Sequence, residues 1–235
     1  MNRLLTLLLV VLLAACHTDP GYSQRVMEEA QADKGKVNAL NQSLIVSAET
    51  GDTDNVLKLL QEGADINATD ERGRTAVMAA AYNNKADTVK ALIGHGADIN
   101  LRDSSLNNVL LYAGAEGYLD IVKLAIAAGA DTRLTNRFGG TALIPASERG
   151  HVEVVQELLA HSDIDVNHIN NLHWTALLEA VILGSGGERH QSIVRLLVDH
   201  GADVKLGDRD GITPLEHAQN RGFREIAAIL QKAGA

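Results

Sequence analysis

The side chains able to do chemistry in this 235-residue chain are nine histidines, one cysteine and scattered serines and carboxylates. Their spacing decides what they can do. A zinc hydrolase would carry His-Glu-x-x-His on one helix face, and a structural zinc site would need paired cysteines; the sequence has neither. His168 and His173 share one short stretch, but no acid or third histidine lies beside them at ligand spacing. Ser185-Gly186-Gly187-Glu188-Arg189 has the glycines of a phosphate loop without its Gly-Lys-Ser/Thr, and reads better as a flexible insertion. No serine sits in a nucleophile elbow. These residues point away from an enzyme, with no catalytic group, metal site or cofactor to name.

Cys16 is different because its place in the chain is informative. Arg3 gives a positive start, Leu4 to Leu13 is an apolar run too short to span a bilayer with ease, and Leu13-Ala14-Ala15-Cys16 closes it. That tetrad resembles the bacterial lipobox. The resemblance implies a signal peptide over residues 1–15, cleavage before Cys16, lipidation of its thiol and acylation of the new amino terminus. Acyl chains of the palmitate kind make a stable anchor, since each buried CH₂ contributes about 0.8 kcal/mol. His17 stands where an Asp would favour inner-membrane retention, so the expectation is a bacterial envelope lipoprotein, facing the periplasm from the outer membrane. An ordinary signal peptide with an incidental cysteine is the alternative.

Net charge at pH 7 is −9, and loss of Arg3 with the leader makes it one unit more negative. That balance argues against nucleic acid and against a peripheral binder of anionic lipid. A lone cysteine excludes an internal disulfide. Residues 16–40 carry Pro20, Gly21, Ser23 and a charged run from Glu28 to Lys36. They read as a tether leading into a short amphipathic helix that caps the array at 41–235.

That array is a repeat. Six segments align on Gln42, Thr75, Asn108, Thr141, Thr175 and Thr213, spaced by 33, 33, 33, 34 and 38 residues. Five residues before the last five stand Asp70, Asp103, Asn136, Asn170 and Asp208. Units close on Gly63-Ala64-Asp65, Gly96-Ala97-Asp98, Gly129-Ala130-Asp131 and Gly201-Ala202-Asp203. A Thr at the aligned slot can N-cap a first helix, Val154, Val155, Leu158 and Leu159 mark one face of a second, and the closing Gly suits a left-handed C′ position. Period and pattern resemble the ankyrin repeat, which implies an all-α solenoid of six repeats including caps. The pattern is imperfect. Only Thr213 precedes Pro, and the usual histidine slot holds Ile45, Met78, Leu111, Ile144, Leu178 and Glu216. Leu106 and His173 replace the tight-turn glycine, and Leu tolerates a left-handed turn less well than His, so the third copy is expected to turn differently.

Ankyrin arrays bind proteins through hairpin tips and the exposed side of their first helices, a concave face. Repeat register places Arg72, Arg74, Arg102, Arg137, Arg149, Arg209 and Arg221 there, a basic lean that suits a partner with an acidic rim. It also gathers Phe138, Ile169, Leu172, Trp174, Ile182 and Leu183 on repeats four and five. Aromatics and arginines dominate interface energetics, and clustered exposed apolar surface marks interaction sites. The expected partner-binding residues are therefore these six with Arg72, Arg74, Arg137 and Arg149. A competing reading has the 185–189 insertion folding back over Ile182 and Leu183. Otherwise it lies at the groove's far end as a lip or lid. The expected function is a membrane-anchored, non-enzymatic module binding a periplasmic or envelope protein. An immunity lipoprotein that neutralises a periplasm-acting toxin or hydrolase is the alternative.

Overall fold

The computed structural model describes the backbone of residues 20–235 and the side chains of 24–31 and 33–235. The leader and Cys16 lie outside the described residues. Twelve helices are described, in pairs: α1 (Pro20–Thr50) with α2 (Thr53–Gln61), α3 (Ala76–Tyr82) with α4 (Ala86–Gly94), α5 (Val109–Glu116) with α6 (Leu119–Ala127), α7 (Leu143–Glu148) with α8 (Val152–His161), α9 (Ala176–Ile182) with α10 (Glu188–Asp199), and α11 (Pro214–Asn220) with α12 (Arg224–Lys232). First helices stack on first helices and second on second, each touching the next repeat. Among the described residues the one strand-like contact is an isolated bridge between Thr69 and Thr75.

The sequence explains why helices this short persist. In Ala76-Val77-Met78-Ala79-Ala80-Ala81 every side chain is buried, because small residues let α3 sit between its neighbours. Gly114 on α5 goes further: a Cβ there would lie 3.0 Å from the Cβ of Ala142. Helices of two or three turns are marginal alone, and stacking supplies what propensity does not.

Caps fall where the register predicts, with two exceptions. Thr75, Thr175 and Thr213 accept from the amides of Met78, Leu178 and Glu216, and Asn108 accepts from Leu111. Glu216, in the usual histidine slot, closes a reciprocal capping box by accepting from both the amide and the hydroxyl of Thr213. Thr141 does not cap. The Ile144 amide bonds the Thr141 carbonyl, Pro145 has no N–H to offer, and the Thr141 hydroxyl is buried without a partner. Gln42 lies inside α1. Residues expected as a tether are helical from Pro20, and α1 runs through residue 40 into the first repeat without a break.

The third copy turns like the others, contrary to expectation. Leu106 adopts φ 62°, beside φ 75° for Gly73 and 71° for His173, and its amide bonds the Asp103 carbonyl just as Gly73 bonds Asp70. The turn is imposed by Asp103, so Leu106 carries the strain.

Candidate functional site

Each hairpin is built on the acid or amide five residues before the helix slot. One side-chain oxygen accepts two backbone amides: Asp70 from Arg72 and Arg74, Asp103 from Ser105 and Asn107, Asn136 from Phe138 and Gly140, Asn170 from Leu172 and Trp174, Asp208 from Asp210 and Ile212. That leaves a second atom facing the groove, and its identity follows its partner. Asp70 Oδ2 accepts from Arg74, Asp103 Oδ2 from the Tyr82 hydroxyl, and Asp208 Oδ2 from His217. Burial, and then the Asp103 hydrogen bond, push the Tyr82 phenol up to about 12. In the fifth copy the order reverses: Asn170 Nδ2 donates to Glu179 Oε1 at 2.7 Å. An Asp there would set two carboxylates against each other.

Most arginines of the strip are committed to neighbouring repeats. Arg74 bonds Glu49 and Asp70, Arg102 the Thr135 carbonyl, Arg149 the Ala115 carbonyl and Glu116, Arg209 the Asn171 carbonyl, and Arg221 the carbonyls of Ile182 and Gly184. Arg149 and Arg221 occupy equivalent positions and reach the C-terminal end of the preceding first helix, where the dipole favours a cation. The expected basic lean is thus largely consumed inside the stack. Arg74 spends its guanidinium on Asp70 and Glu49 and is not available to a partner. Arg72 and Arg137 remain exposed, the latter with its guanidinium 4.8 Å from the Phe138 ring centre.

At the position of Arg149 and Arg221 the fifth copy has Leu183. The structure leaves it open: Phe138 is 56% exposed, Leu172 53%, Leu183 49% and Ile169 40%. Trp174 and Ile182 are half-buried. Phe138, Leu172 and Leu183 line one groove of about 520 Å³, together with Tyr112, Glu148 and Glu179. Arg137 and Arg149 also line it, as does Glu116. Glu179 is only 5% exposed. Burial, and then the charge of Glu148, raise its carboxyl to about 7 against the opposing effect of the Asn170 bond. The register-based list missed Glu179. The available signal was a lone acid inside Ala176–Ile182, at the slot that holds Ala79, Tyr112, Pro145 and His217 elsewhere.

The insertion neither covers Leu183 nor forms a lid. It packs onward against the sixth repeat, where a Cβ on Gly186 would lie 2.5 Å from the Phe223 ring, and Gln191 bonds the Gly186 carbonyl. His190 ties it back by bonding the Glu148 carbonyl and contacting Ser185. His151 bonds the Ala115 carbonyl and His168 the Gly139 carbonyl, so these histidines join repeats. Among the described residues no group of three or more His, Cys, Asp or Glu is placed to hold a metal.

Comparison with known proteins agrees with this architecture. The family described as ankyrin repeats (3 copies) matches residues 11–103, 44–132 and 110–206. YahD of Escherichia coli (strain K12), described as an ankyrin repeat protein, is 55% identical over 80 residues, 34% of this chain and 40% of the relative. The chain thus aligns with less than half the length of that curated relative. The crystal structure of an ankyrin repeat domain from Acinetobacter baumannii AYE superposes with a TM-score of 0.79 at 50% identity, over 82% of this chain and 97% of that one. The ankyrin repeat protein EF0377 superposes with a TM-score of 0.79 at 38% identity, over 82% and 98%. The chain belongs to the ankyrin repeat family.

Proposed function

We propose that this ankyrin-repeat interaction module is a lipoprotein that holds a periplasmic or envelope protein through the groove of repeats four and five. One observation carries the groove: Phe138, Leu172 and Leu183 are each about half exposed along a single concavity, on a stack whose other large apolar side chains are mostly buried. Contiguous apolar surface of this kind is what interfaces bury. The anchor rests on the Leu13-Ala14-Ala15-Cys16 tetrad, with the thiol of Cys16 as the lipidated group and the outer membrane as the location.

Two variants test the two halves separately. Phe138→Ala with Trp174→Ala should abolish capture of the partner from crosslinked envelopes while circular dichroism and melting stay near wild type; unchanged capture removes this patch from contention. Cys16→Ser should release the chain from the membrane fraction, and normal retention would count against lipidation.

A further inference from the structure

We propose that the groove between repeats four and five seats an arginine side chain of the partner, stacked on Phe138 and paired with Glu179 and Glu148. This inference rests on the groove being the docking surface and adds the chemistry that the surface selects. The floor is acidic: Glu179 is 95% buried by its neighbours, and Glu148 lies beside it along the same concavity. In the second repeat the hairpin carboxylate has a cation of its own chain, Arg74 on Asp70, and in the sixth Asp208 is bonded to the His217 ring. Glu179 has instead a neutral amide donor, Asn170. At the slot where Arg149 and Arg221 staple repeats four and six to the preceding first helix, this repeat has Leu183, an apolar side chain lining the groove with Glu148 and Glu179. The walls suit a planar cation. Tyr112, Phe138, Leu172 and Leu183 offer faces and apolar edges, and guanidinium both stacks on rings and forks onto carboxylates.

The other charges around the site set the controls. Arg149 is held by Glu116 at 2.6 Å, and Arg137 lies at the rim over Phe138. His190 on α10 is bonded to the Glu148 carbonyl, and His217 on α11 to Asp208. A partner arginine needs Glu179 ionised, so binding should strengthen as pH rises from 6 to 8.

The full-length chain in non-ionic detergent, immobilised, is offered pools of nonapeptides with randomised flanks and a central Arg, Lys, citrulline, Glu or Leu. The Arg pool should be retained at least ten-fold over citrulline and Glu, with Lys between them. Glu179→Gln keeps an oxygen for Asn170 and should retain its fold, confirmed by melting, yet lose at least ten-fold of Arg retention together with its pH dependence. Arg137→Ala should raise retention about two-fold by removing a like charge. Equal retention of Arg and citrulline, preference for Glu, preference for Leu, or an unaffected Glu179→Gln variant each overturns the proposal. If partner capture is lost in the Phe138/Trp174 double variant while Glu179→Gln changes nothing, the docking surface stands and its arginine preference falls. Capture unchanged in both removes the docking surface itself.

Discussion

Repeats two and five are built on one backbone and close their hairpins with opposite chemistry. In repeat two the turn residue is an acid, Asp70, whose second oxygen takes Arg74, and Arg74 in turn reaches Glu49 of the first repeat. In repeat five the turn residue is an amide, Asn170, whose nitrogen takes the carboxylate of Glu179. Both turns spend one oxygen identically, on the amides two and four residues ahead. The hairpin fixes only one atom of this side chain. The other is free to follow whatever the neighbouring side chain presents, so one repeat seals its groove with an ion pair and another leaves a carboxylate in it.

Breaking the sealed version should have the largest effect. Asp70→Ala removes two turn hydrogen bonds and leaves Arg74, whose side chain is 12% exposed, with Glu49 as its remaining carboxylate, and should destabilise the stack by about 3 kcal/mol. Asp70→Asn keeps the turn oxygen and loses only the charge pairing, so its cost should be about half. Urea unfolding of the two variants measures the split. Equal costs would mean that the turn bonds contribute little and the ion pair carries the stability.

The open version should respond to pH in the other direction from a salt bridge. Glu179 has an ordinary carboxyl when unfolded and a folded value raised to about 7, by burial first and Glu148 second. Below pH 4.5 both states hold the proton and the group costs nothing. As pH rises from 4.5 to 7 the unfolded chain ionises first, so stability falls, and above 7 the full penalty is present. Glu179→Gln should therefore be neutral near pH 4 and stabilising at pH 8 by about 2 kcal/mol, somewhat less than the shift implies at 1.36 kcal/mol per unit because the carboxyl borders a groove. Melting temperatures at the two pH values test this, and a gain of equal size at both would point to packing instead.

What could be read from residues alone divides along the same line. The period, the closing glycines and the caps at Thr75, Asn108, Thr175 and Thr213 are local signals, because a cap or a left-handed turn is set by residues within four positions. The positions of Phe138, Leu172 and Leu183 also followed from register, since every repeat exposes the same slots. Two things did not. The arginines looked like a binding strip because register tells which way a side chain leaves the backbone, while their acceptors are carbonyls such as Ala115 and Ile182 about 34 and 39 residues away. The environment of Glu179 was hidden for the same reason: its burial comes from stacking on the repeats to either side, and its amide partner looks like any turn residue.

Leu106 gives the smallest effect and separates two explanations of one oddity. Its φ of 62° lies in the left-handed region that Gly73, Gly139 and Gly211 occupy in other repeats, and its side chain is 44% exposed, so packing gives little in return. A left-handed Leu costs about 1–2 kcal/mol, and glycine would give back about 0.5–1 kcal/mol of this through the freedom of its unfolded chain. Leu106→Gly should then stabilise by about 0.5–1 kcal/mol, near 2 °C in melting temperature for a chain of this size. His173→Gly should gain less, because His accepts this region more readily. Leu106→Ala keeps the Cβ and hence the strain, and should gain nothing. If alanine stabilised as much as glycine, the cost would lie in the exposed apolar side chain, and the backbone that Asp103 imposes on this repeat would be as comfortable for Leu as for Gly.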